Sequence, residues 1–120
     1  MRHSWRMIVF SLRPTTFDDG PRKNDFAVIW PSDEYGARRV GRIRLTGVHD
    51  GEERWEWAIN PPMPVPAWGH GLARSRELAT AGFRRAFENF HREITARQWA
   101  DAFATQRAGE ERLERMKPRG

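Results

Sequence analysis

With 120 residues and no cysteine, the chain is the length of one domain and cannot hold a disulfide, a thiolate metal site or a cysteine nucleophile. Aromatic residues reach 12%, too many for a wholly disordered polymer, and no apolar run approaches the roughly 20 residues of a membrane helix. The net charge of +5 suits an anionic partner, yet the 21 basic residues are interspersed with 16 acidic ones, as on a solvated mixed-charge surface.

Residues 1–24 read as an N-terminal extension. Its apolar run Met7-Ile8-Val9-Phe10 is too short for a signal-peptide core, so a cytoplasmic chain with no membrane partner is expected. Residues 5–12 alternate loosely enough for an edge strand. Pro14 and the cluster Phe17-Asp18-Asp19-Gly20-Pro21 then mark a loop. Phe26-Ala27-Val28-Ile29-Trp30 is a strand, stopped by Pro31 and followed by a turn over 32–36.

Arg39-Val40-Gly41-Arg42-Ile43-Arg44-Leu45 reads as the next strand. Strict alternation puts Gly41, Ile43 and Leu45 on one face and Val40, Arg42 and Arg44 on the other. A polar loop from Gly47 to Glu53 leads to Arg54-Trp55-Glu56-Trp57-Ala58-Ile59, whose alternation marks a strand with one buried face. Pro61 to Pro66 should run as extended polyproline-like chain, and Trp68 to Ala73 should add a short last strand.

Ser75 is placed to cap a helix, with Glu77 favourably in its first turn. Ala79, Phe83, Ala86, Phe87, Phe90 and Ile94 recur at helical spacing, and Glu88 and Arg92 stand at i,i+4 on the other side. The phenylalanine stripe should pack on Trp55, Trp57 and Ile59. Thr95 and Gln98 fit a capping box, with Ile94 and Trp99 as its hydrophobic staple, so a second helix should begin there. Gly109 should end it, leaving 109–120 as a frayed or disordered charged tail. The expected fold is therefore α+β: a three- to four-stranded antiparallel sheet covered on one face by an amphipathic helix, followed by a second, shorter helix. Residues 25–108 would form the single domain.

Chemistry-bearing constellations are sparse. His3, His49, His70 and His91 lack metal-ligand spacing, so neither metal nor cofactor is expected. His70 stands between Gly69 and Gly71, where a ligand could approach the backbone, although turn geometry explains those glycines as well. Asp18-Asp19 and Asp33-Glu34 read as turn formers, and no serine has a nucleophile context. No catalytic residue is assigned. The stretch Pro61 to Pro64 is a P-x-x-P, read as a linker more cheaply than as a ligand for an SH3-type domain.

Alternation would array Arg38, Arg42, Arg44 and Arg54 on the open sheet face, where they could track phosphates or enter a major groove; Glu56 on the same face offsets part of their charge. In the order of a basic strand, an aromatic strand and an Ala-rich helix, the chain resembles the Apetala-type DNA-binding domains of plants and integrase arm-binding domains. Further, Asp25-Phe26-Ala27-Val28-Ile29-Trp30, Val40-Gly41-Arg42-Ile43, Trp55-Glu56-Trp57-Ala58-Ile59, Gly71-Leu72-Ala73 and Phe83-Arg84-Arg85-Ala86 resemble a family of small uncharacterised proteins of rhizobia and related alphaproteobacteria. That likeness spans the central half of the chain and implies a bacterial cytoplasmic protein. The expected role is a non-enzymatic interaction module of unknown partner, with a nucleic-acid-binding domain as the alternative. A monomer or weak dimer is expected, the dimer pairing through an edge at residues 26–30.

Overall fold

The computed structural model of the chain describes residues 9–17, 20–32 and 36–117. The loop expected at Asp18-Asp19, the turn residues 33–35 and the first part of the expected 5–12 strand lie outside these residues. Five strands form one antiparallel sheet in the order of the chain: β1 (Ser11–Phe17), β2 (Gly20–Ser32), β3 (Gly36–His49), β4 (Glu52–Ile59) and β5 (His70–Ala73). Two helices follow, α1 (Arg76–Glu93) and α2 (Ala96–Met116). The class is α+β, with one strand more than the three to four expected.

β1 takes up the end of the edge strand expected over 5–12 and runs on through residues read as loop. Pro14 lies within β1, which stands at an edge of the sheet, where the missing N–H costs no ladder bond on the open side. Pro31 does not stop β2. It lies beyond the last β1 pairing, at Ile29, and faces β3 alone. Residues 26–30 are thus an interior segment, flanked by β1 and β3, and not the free edge suggested for dimer pairing. The edges are β1 and β5.

The β3–β4 hairpin is tighter than expected. Only Asp50 and Gly51 connect the strands, both at positive φ (52° and 79°), the conformation that matches the right-handed twist of the flanking strands. After β4, Asn60 N–H donates to Val40 C=O at 2.8 Å, and the proline segment leads through a short 3-10 turn, Ala67–Gly69, into β5. Pro61 is buried, so the P-x-x-P is part of the fold and not a freely presented ligand.

Helix α1 lies across β3, β4 and β5, as its phenylalanine stripe requires. Trp55 and Ile59 are buried beneath it with Phe83, Phe87 and Phe90. Gly41 allows the close approach: a Cβ there would stand 1.9 Å from Phe83 Cε2. Ser75 Oγ accepts from Leu78 N–H, capping the helix as expected. On the outer face Glu88 pairs with Arg84 at 3.8 Å, and Arg92 donates to Asn89 Oδ1 instead of pairing with Glu88.

The capping box at the start of α2 is complete, with Gln98 N–H donating to Thr95 Oγ1 and Thr95 N–H to Gln98 Oε1. Trp99 and Phe103 anchor this helix against Trp30, in a cluster that also holds Phe87, Phe90 and His91. Gly109 does not end α2, which continues to Met116. The stretch Glu110 to Met116 consists of strong helix formers, and they carry the helix past a glycine costing about 1 kcal/mol relative to alanine. Its last turns are exposed, including Leu113 and Met116.

Candidate interaction site

The four arginines expected on one open face do not share it. Strand β3 carries a bulge at Val40: Val28 faces Gly41 and Ile29 faces Arg39, so Val40 is the extra residue. The bulge turns both Val40 and Gly41 toward the core, against the expectation that Val40 points outward, and reverses the alternation for the residues before it. Arg38 therefore falls opposite Trp30 on the helix side. Its guanidinium stacks 5.3 Å from the Phe103 ring centroid, donates to Gln106 Oε1 at 3.3 Å and approaches Glu110 at 3.7 Å. With 13% of its side chain exposed, Arg38 fastens α2 to the sheet.

Arg42 and Arg44 do lie on the open face, and both are engaged. Arg42 grips Asp25 with two donors; Nε donates to Oδ1 at 2.8 Å and a terminal nitrogen pairs with Oδ2. Thr15 Oγ1 donates to the same carboxylate at 2.9 Å. The Arg42 hydrogen bonds hold the Asp25 carboxyl below its usual range, against the opposing effect of burial. Arg44 Nε donates to Glu56 Oε1 at 3.1 Å across the β3–β4 pair. Arg54 is exposed near the start of β4, beyond a second β3 bulge at Thr46, whose hydroxyl donates to Arg54 C=O. The face is thus laced by cross-strand ion pairs, which offset the charge a polyanion would meet.

A different surface is concave and open among the described residues. Between β5 and α1 runs an open groove of about 640 Å³, bordered by Trp57, Leu72, Arg74, Leu78, Gly82 and Arg85, among others. Its floor is the half-buried indole of Trp57, seated between two glycines. A Cβ on Gly71 would meet Trp57 Cζ2 at 2.7 Å, and one on Gly82 would meet Nε1 at the same distance. Leu78 stands on the α1 rim, 58% exposed, and Leu72 at the strand edge, 62% exposed and paired with Glu56 on the open-face side of β5. Asn89 lines both this groove and a smaller one beside the exposed Trp68.

Sequence reasoning did not single out these groove residues. The available signal was that Leu72 and Leu78 fall outside the phenylalanine stripe, so burial under α1 does not account for them. His70, the histidine of greatest interest in the sequence, is exposed beside Ala58 and borders none of the grooves described above. His91 packs among aromatic rings, 5.4 Å from Trp30 and 5.8 Å from Trp99, ring centre to ring centre. No group of three histidine, aspartate or glutamate side chains converges as a metal site among the described residues. None of the described helices is long and apolar enough to cross a membrane. No family model, curated protein or solved structure matches the chain.

Proposed function

We propose that the protein is a non-enzymatic interaction module that docks a partner protein along the β5 edge. The observation that carries this reading is the β5–α1 groove, where exposed leucines and a half-buried tryptophan adjoin a strand with no neighbour on its outer side among the described residues. A concave apolar strip beside an open strand edge offers both side-chain pockets and main-chain hydrogen bonds, the two components of strand addition. The nucleic-acid alternative draws less support. Of its four arginines, Arg38 is committed to α2, and Arg42 and Arg44 are held by carboxylates.

A photo-crosslinking side chain placed in cells at Leu72, at Leu78, or at exposed Asp101 on α2 tests this assignment. Discrete adducts are expected from the two groove positions and not from the control. Equal adduct yield at 101, or none from either groove position, would remove the basis for it.

A further inference from the structure

Resting on that reading, we propose that the groove's occupant is an extended acidic peptide segment that adds as a strand to β5. Its carboxylates would meet Arg74 and Arg85, and an apolar side chain would cover the Trp57 indole. Length is the first argument. β5 has four residues and so runs about 13 Å. The α1 wall from Leu78 to Asn89 runs about 16 Å at the rise of a helix. Those spans fit about four or five residues of extended chain, or a helix of about nine to eleven residues, which would leave the outward main-chain groups of β5 unpaired.

Hydrogen bonding is the second. Alternate residues of a strand direct their N–H and C=O to opposite sides, and among the described residues β5 has a partner, β4, on one side alone. An added strand satisfies the outward groups. Trp57 Nε1, at the groove floor, makes no hydrogen bond among the described residues and offers a further donor.

Charge is the third. Arg74 and Arg85 border the groove and are exposed, and neither forms an ion pair among the described residues. Arg42 and Arg44, by contrast, already have carboxylates. Glu52 and Glu53 adjoin Arg74 at the β4 end of the edge, so acidic groups are favoured over the Arg74–Arg85 stretch and disfavoured past it. The occupant is therefore acidic where it crosses α1 and apolar where it crosses Trp57.

The test uses the full chain labelled with nitrogen-15 and three synthetic peptides of about six residues. One alternates Glu with Leu, one replaces each Glu by Lys, and one carries N-methyl groups on alternate backbone nitrogens of the acidic sequence. The acidic peptide should shift the His70–Ala73 amide signals and the Trp57 indole N–H. Backbone methylation, and the double reversal Arg74→Glu with Arg85→Glu, should each weaken binding by about tenfold or more. Both arginines are exposed, and unchanged signals from the α2 anchors Trp99 and Phe103 will show that the variant folds. Equal binding of the Lys peptide would overturn the acidic preference while leaving edge docking intact. Concentration-dependent shifts of the β5 amides without peptide would replace the peptide by a second copy of this chain. If groove crosslinks form in cells but no peptide moves these signals, the strand-addition mode is wrong. If crosslinks are missing as well, the interaction-module reading falls with it.

Discussion

Gly41 shows how one absent methyl group sets the seam between helix and sheet. The space a Cβ would need is taken by Phe83 Cε2 and, at 2.6 Å, by the Ala58 carbonyl oxygen; a rigid ring and backbone cannot both withdraw cheaply. Gly41→Ala should destabilise the protein by about 1–3 kcal/mol or more, read as a lower urea midpoint with unchanged slope. An unaltered midpoint would mean that α1 is not seated so closely. His91 carries a second consequence of local packing. Burial among Trp30, Phe87 and Trp99 pushes its imidazole below the ordinary 6.5, because a charged ring is poorly solvated there. The unfolded chain then takes up this proton at a higher pH than the folded one. Stability from the neutral ring is complete above pH 6.5 and declines as pH falls from there through the lowered folded value. His91→Phe should flatten thermal stability across that window. Asp25 acts lower down, since its contribution is complete above 3.8 and is lost as pH falls through its own depressed value.

Among the elements, α2 is held in a distinctive way. It is nucleated by a reciprocal cap at Thr95 and Gln98, anchored by Trp99 and Phe103, and clasped by Arg38 at Gln106 and Glu110. Thr95→Ala removes the side-chain acceptor for the Gln98 amide and should cost about 1 kcal/mol, measured by thermal unfolding. Trp99→Ala should cost about 3–5 kcal/mol, because it empties the centre of an aromatic cluster. Ending the chain after Gly109 should cost far less than either core change, since the turns beyond it are exposed apart from the Glu110 contact with Arg38. A truncated chain that failed to fold would show that those turns carry structural weight.

For the molecule as a whole, net charge and charge placement point in different directions. A chain with net charge +5 invites a polyanion, and the ion pairs of the open face withdraw much of that invitation. In a mobility-shift titration with duplex and single-stranded DNA, only weak binding is expected at low salt, and it should vanish on modest salt addition. Tight binding that Arg54→Ala and Arg42→Ala abolish together would favour the nucleic-acid alternative. In the β5–α1 groove, Trp57 of β4 meets a lining that otherwise falls within residues 72–89, and only the packing of α1 beside β5 makes that stretch concave.

Periodicity and capping chemistry made much of the architecture readable. The Trp55–Trp57 alternation, the phenylalanine stripe, Ser75 and the Thr95–Gln98 box each encode a local preference, and local preferences survive without knowledge of neighbours. Position within the sheet is a different matter. A proline is excluded or tolerated according to which strand lies beside it, so Pro14 and Pro31 could not be placed until β1 and β3 were. The face that Arg38 and Val40 present depends on a bulge, a one-residue mismatch between two strands that neither strand encodes alone. The groove likewise exists because α1 crosses the sheet beside its last strand, and that crossing is a product of packing.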